Sequence, residues 1–264
     1  MTALLWLIPI ALAGLGLALW RRARAIQGYG RDGERLVGAA LERLFPAVVH
    51  DVILPTARGG LTQIDHIALT PKGLLVVETK HYRGTILGKP EDRHWVQQRD
   101  QDRRTFQNPC RQNYAHVKAV EALGLDVPIL ERVVFTDSAR FPHGLPEGVS
   151  QLATLETDLA PWRRGRVSPK LRRAWKALQP AIRQDAKARR AHRRGLRARY
   201  GWDRRRLAAG VCFALAAVSA FGLQQSSGDP ALLSRMADLG SSGSTLIERL
   251  MRVWSESLRF DAQR

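Results

Sequence analysis

Three charged residues, Asp65, Glu78 and Lys80, interrupt one of the more apolar stretches of this 264-residue chain, residues 63–80. Burying an unpaired charge in a sheet costs several kcal/mol, so carboxylates in such strands need a cation, a metal or an exposed strand end. Here the segment supplies its own partners. Thr70-Pro71-Lys72-Gly73 carries Pro and Gly where a tight turn uses them, and apolar residues flank it on both sides. In a hairpin with that turn, Asp65 and Glu78 stand at similar distances from the bend, near enough to share one divalent ion. Glu78 and Lys80 are two apart and point to one face. Two carboxylates with an ammonium can carry out metal-assisted phosphodiester hydrolysis. The carboxylates hold Mg²⁺ or Mn²⁺, both of which suit hard oxygen ligands, and Lys80 orients the attacking water or offsets developing charge. Thr79 can add its backbone carbonyl as a further ligand. The plainer reading of the three charges is a structural ion-pair cluster.

The surrounding elements follow from periodicity. Leu36, Val37, Ala40, Leu41 and Leu44 recur at helical spacing and predict a helix over residues 32–45. Glu34 lies in its first turn, where an acid also suits the helix dipole. Strands are expected at 47–54, at 85–87 and around His94-Trp95-Val96, with Trp95 a packing residue. A second helix starts at Asn108-Pro109 and runs to about residue 123, with proline where a first turn tolerates it. Residues 128–136 form an apolar, β-branched run that predicts a buried strand. An edge strand at 151–155, a short helix at 156–162 and a basic helix from 168, interrupted at Gln179-Pro180, complete the sequence of elements.

The ordered set of Gly33-Glu34, Ile64-Asp65-His66, Glu78-Thr79-Lys80 followed by Tyr82 and Gly84, Trp95, and Asn108-Pro109 with Gln112 resembles the nuclease-related (NERD) branch of the PD-(D/E)xK nuclease superfamily. The resemblance covers roughly residues 30–137 and implies an α/β fold with an αβββαβ restriction-endonuclease-like core. It implies nuclease activity on DNA or RNA, with Asp65, Glu78 and Lys80 as catalytic residues. Glu34 would be a secondary metal ligand, and Gln112 a residue that helps hold nucleic acid or metal-bound water. In some relatives a tyrosine follows that glutamine by four; here position 116 is His, and Tyr114 is out of register. His81 and Arg83, beside the Glu-x-Lys, are candidates for a nucleic-acid-binding surface. A catalytically silent domain, tethered as a nucleic-acid or protein scaffold, is the alternative function.

The net charge of +18 is unevenly spread: residues 163–206 hold 18 Lys/Arg against 2 Asp/Glu. Two cysteines, Cys110 and Cys212, argue against a disulfide framework or a zinc ribbon. Residues 3–20 and 207–223 carry no charge, and arginines adjoin each on the side facing the chain centre. They read as two transmembrane helices that place the central domain in the cytoplasm, and the family resemblance implies a bacterial inner membrane. The expected order is an N-terminal anchor (1–20), a NERD-like domain (21–162), a basic helical segment (163–206), a second membrane helix (207–223) and a tail (224–264). The basic segment is expected to contact anionic lipid or fix topology, with nucleic acid as the competing partner. In the tail, Thr245 with Glu248 and a stripe through Leu246, Leu250, Trp254 and Leu258 predict an amphipathic helix suited to a protein partner or self-association.

Overall fold

The computed structural model describes residues 6–56, 59–201 and 203–226. It contains a mixed α/β unit of residues 29–201, and a second unit made of the chain's opening helical turns with the helix after residue 202. Helix α1 (Leu7–Leu44) is continuous. The helix expected at 32–45 is its second half, because the stretch between it and the apolar run holds no proline and its glycines do not stop helical hydrogen bonding.

Strands β1 (Ala47–Pro55), β2 (Leu61–Thr70) and β3 (Gly73–Lys80) follow as an antiparallel meander. Thr70 and Gly73 close the β2–β3 turn, where the Thr70 hydroxyl accepts from the Lys72 and Gly73 amides at 3.1 and 3.0 Å. Glycine is required at 73, since a Cβ there would lie 2.3 Å from the Pro128 carbonyl oxygen. Strand β7 (Ile129–Phe135) joins β3 in parallel, and β9 (Val149–Gln151) joins β7, giving the order β1-β2-β3-β7-β9. The edge strand therefore precedes the expected 151–155 and ends where residues 152–154 turn into α3 (Leu155–Asp158). The short helix expected at 156–162 is split into α3 and α4 (Ala160–Arg163).

A second sheet holds β6 (Asp102–Gln107), β5 (His94–Arg99), β4 (Gly84–Leu87) and β8 (Ala139–Arg140) in that order. Strand β6 was not expected. Its sequence, Asp-Arg-Arg-Thr-Phe-Gln, is almost wholly exposed and lacks the apolar alternation that marks a half-buried strand. Trp95 packs as anticipated: it is fully buried, stacked against Phe135 with centroids 6.1 Å apart, and its indole N–H donates to the Lys89 carbonyl at 2.8 Å.

The five-stranded sheet has a core on each face. Leu75, Val77, Ala68 and Val134 pack against Val37, Ala40 and Leu41 of α1. Leu74, Val76, Ile67 and Leu69 pack against Val117 and Val120 of α2 (Pro109–Glu121), and against Leu171 and Leu178 of α5 (Pro169–Leu178). The basic segment thus adds to the core through α5. A 3-10 turn at Gln179–Ala181 follows it, and then α6 (Ala186–Tyr200).

Among the described residues one helix, Arg204–Gln224 within α7 (Arg204–Ser226), is long and apolar enough to cross a membrane. Its mean hydropathy is 1.9, and Leu207, Val211, Val218 and Phe221 are more than half exposed. The first apolar run opens α1, which does not pass the same test; residues 1–5 lie outside the described residues. The expected amphipathic helix of the tail also lies outside them.

Candidate active site

Asp65 and Glu78 sit where the ladder between β2 and β3 ends. The last paired step is His66 with Val77, so Asp65 and Glu78 form the next pair outward. There the Asp65 side chain replaces the ladder: its Oδ2 accepts from the Thr79 amide at 2.8 Å. The β1–β2 ladder is also interrupted at this level, pairing His50 with His66 and Val52 with Ile64 but not Asp51 with Asp65. Asp51 adopts a left-handed φ of 53°, uncommon for a non-glycine residue. Val49 and Val52 of β1, and Ile64 and Ile67 of β2, all reach the same core, so the alternation changes parity at this point in both strands. Strain of this kind gathers at functional sites and is held by the surrounding fold.

Glu78 is almost completely buried, and both of its oxygens are engaged. Lys80 Nζ donates to Oε1 at 2.6 Å, and His116 Nε2 meets Oε2 at 3.1 Å. Lys80 also donates to Gln112 Oε1 at 3.0 Å. His116 is fixed from behind by Thr62 Oγ1, 2.9 Å from its Nδ1. Gln112 and His116 are one turn apart on α2, whose start is set by Asn108. The Asn108 Oδ1 accepts from the Cys110 and Arg111 amides, while its Nδ2 donates to the carbonyls of Lys89, Pro90 and Asp92.

The charges follow from these contacts. Burial would raise the Glu78 carboxyl, but Lys80 and His116 outweigh it and hold Glu78 below its usual value. Burial would likewise lower Lys80, and Glu78 overrides that, so the ammonium stays protonated. Asp65 is raised well above an ordinary carboxylate, first by burial and then by the Glu78 charge, with the Thr79 amide opposing. Glu34, half-buried on α1, is raised by burial and by Asp51 and Glu78. It reaches this place because Gly33 lets α1 approach the end of β3: a Cβ at 33 would lie 2.3 Å from the His81 Cβ.

Residues 29–136 match the family model described as nuclease-related domain (NERD). The chain carries a nuclease-related domain. An uncharacterized protein of Bacillus anthracis is 44% identical over 97 residues, which is 36% of this chain and 46% of that relative, so the match spans less than half of the relative's length. No solved structure matches.

Within the nuclease-related domain, Asp65, Glu78, Thr79, Lys80 and Gln112 come together, with Glu34 close enough to feel the charges of Glu78 and Lys80. Gln112 is turned toward Lys80. His81 and Arg83 are held at α1: the His81 and Tyr29 ring centroids are 3.8 Å apart, and Arg83 Nε donates to the Tyr29 hydroxyl at 2.9 Å. His81 Nδ1 also lies 2.6 Å from Thr136 Oγ1.

Sequence reasoning missed His116, whose signal was its spacing of four from Gln112. It also missed a polar chain behind Thr79. Thr79 Oγ1 lies 3.2 Å from His66 Nε2, His66 Nδ1 lies 2.7 Å from His50 Nδ1, and His50 Nε2 lies 3.0 Å from Glu42 Oε1. His66 is pushed down to about 3, first by burial and then by His50, and is therefore neutral. A carboxylate only accepts, so at the far end of this chain the His50 Nε2–H donates to Glu42.

Among the described residues no group of three or more His, Cys, Asp or Glu is placed to cage a metal. A site built on one or two carboxylates with water and substrate phosphate is the arrangement Mg²⁺ favours. The donor chemistry fits such an ion: Asp65 and Glu34 are hard oxygen donors, raised by burial and by neighbouring carboxylates despite the nearby Lys80 ammonium.

Proposed function

We propose that the nuclease-related domain is a metal-dependent phosphodiesterase acting on DNA or RNA, built on an αβββαβ core of the PD-(D/E)xK type and tethered to the bacterial inner membrane through α7. The observation that carries this reading is the convergence of Asp65, Glu78, Lys80 and Gln112 at the broken end of the β2–β3 ladder. Asp65 and Glu78 would hold Mg²⁺ or Mn²⁺, with the Thr79 carbonyl and Glu34 as further ligands. When bound, the metal would polarise the phosphate and lower the pKa of a coordinated water.

The residues themselves limit the mechanism. Lys80 is held protonated by Glu78, so it does not take the proton of the attacking water; it offsets the charge that grows on the phosphoryl oxygens. Gln112 accepts from Lys80 and fixes where that charge points. His116 keeps Glu78 ionised and correctly turned. The water's proton passes to a carboxylate or to solvent, and the leaving oxygen takes one as the P–O bond breaks. The proposed orientation places this domain in the cytoplasm, since Arg204, Arg205 and Arg206 precede the apolar span of α7.

The test uses the full chain in neutral detergent with labelled single- and double-stranded DNA and RNA, in Mg²⁺, Mn²⁺ or chelator. Metal-dependent cleavage that disappears in Asp65→Asn is the expected result. A folded chain that binds the oligonucleotides but cuts none of them would support the scaffold function instead.

A further inference from the structure

The segment from residue 163 to 206 carries most of the molecule's excess charge, and the proposed chemistry makes no use of it. Its second helix, α6, holds Lys187, Arg189, Arg190, Arg193, Arg194, Arg197 and Arg199 and no acid; Asp185 is the N-cap, accepting from the Ala188 amide at 2.8 Å. The helix is docked on the β1–β2 edge. Ala188 is buried, Arg189 pairs with Asp51, Gln184 donates to the His50 carbonyl at 2.7 Å, and His192 Nδ1 lies 3.2 Å from the Leu61 carbonyl oxygen. Just before the helix, Arg183 and Ile53 exchange backbone hydrogen bonds at 3.0 and 3.2 Å.

Two features of this docking matter. First, Asp51 is the residue across from Asp65 where both strands lose their pairing, so α6 is anchored at the level of the candidate site. Second, the anchoring uses Ala188, Arg189, Ala191 and His192. Lys187, Arg190, Arg193, Arg194 and Arg197 are left exposed at spacings of three and four, which places them along one face. At 1.5 Å per residue the stripe runs about 15 Å.

We infer that this face of α6 holds the sugar–phosphate backbone of a nucleic acid and leads it to the site at Asp65. The inference rests on the proposed nuclease reading for its choice of polymer. Regularly spaced arginines with no acid between them suit a chain of phosphates, and contacts to phosphate set register without reading sequence. Anionic lipid is the weaker match. A helix that lies in a bilayer surface needs an apolar face to insert, and here the opposite face is packed on the sheet, with Leu196 the one large apolar residue exposed among the helix's described side chains.

The test is binding of a fluorescent 20-nucleotide single strand to the full chain in neutral detergent with chelator, where no cutting occurs. The triple variant Arg190→Gln, Arg193→Gln, Arg194→Gln is compared with Arg172→Gln, Arg173→Gln, Lys176→Gln on α5. The second triple also removes three exposed cations, so it controls for net charge. The α6 variant should lose at least tenfold in affinity, and its salt slope should fall by about 2, since each lost phosphate contact removes roughly 0.7 for a single strand. The α5 variant should stay within about threefold on the same electrostatic grounds. Equal losses from both triples, or none from α6, overturn the inference. So does an α6 variant whose oligonucleotide affinity is intact while its adsorption to phosphatidylglycerol vesicles falls, which would assign the stripe to lipid. Because binding is read without cleavage, a wild-type chain that binds through α6 but never cuts would defeat the nuclease reading and leave this one standing.

Discussion

Replacing Asp65 by Asn should stabilise the protein while disabling the site. Asn keeps an oxygen to accept from the Thr79 amide, so the bond that closes the broken ladder survives. What disappears is a carboxylate raised by burial and by the Glu78 charge, offset in part by the loss of its attraction to Lys80. Relief of such a strained charge is worth about 1 kcal/mol, within the range of single stabilising changes. For a domain of this size that is about 2–4 °C in Tm. The pH dependence fixes the cause. A raised carboxyl destabilises the folded state above its folded pKa, and the penalty fades as pH falls through that value toward the ordinary one. The advantage of Asn should therefore be largest at pH 8 and shrink on acidification. Mg²⁺ should reverse the order: at about a hundred times its Kd it would stabilise the wild type by about 2.7 kcal/mol. Thermal melts of both full chains across pH, in chelator and in Mg²⁺, give the comparison. An Asn variant less stable than wild type at pH 8 in chelator, or an equal response of both chains to Mg²⁺, would refute the reasoning.

His116→Ala leaves the buried Glu78 oxygen and the Thr62 hydroxyl unpaired, and it should cost about 3–5 kcal/mol in denaturant titrations, with His116→Gln recovering part of the loss. Asn108→Ala removes two accepted amide bonds at the start of α2 and the side-chain donor to the Pro90 and Asp92 carbonyls, while the Lys89 carbonyl keeps the Trp95 indole, for an expected loss of about 3 kcal/mol by the same measurement. Gly33→Ala drives a Cβ into His81, so it should reduce cleavage by displacing Glu34 and lower Tm, whereas Gly30→Ala, with open space around it, should leave cleavage unchanged and raise Tm slightly, as alanine favours a helix interior.

The hairpin, its turn and the Asp65, Glu78, Lys80 set were legible because apolar runs, a Pro-x-Gly turn and residue spacing are local signals. The same holds for the Asn108 cap and for Trp95. Other features depended on contacts between distant segments. The parity change at Asp51 and Asp65 needs two strands side by side, and the chain from Thr79 through His66 and His50 to Glu42 joins four elements. Arginine-rich α6 reads as a membrane flank from its position beside the apolar run; that it also docks on the sheet, with Ala188 buried, depends on a long-range contact no local pattern announces. Strand β6 was invisible because pairing with β5, not burial, holds it.

In the proposed hydrolytic centre of Asp65, Glu78 and Lys80, a cationic Lys80, raised by Glu78, stabilises developing charge. The most direct measurement is the cleavage rate of Lys80→Met against wild type, using the full chain at saturating Mg²⁺ on whichever oligonucleotide the wild type cuts, with Tm recorded for both. The expected result is a loss of about 10²-fold or more in a chain that still melts cooperatively. A folded Lys80→Met chain that cuts within threefold of wild type would contradict it.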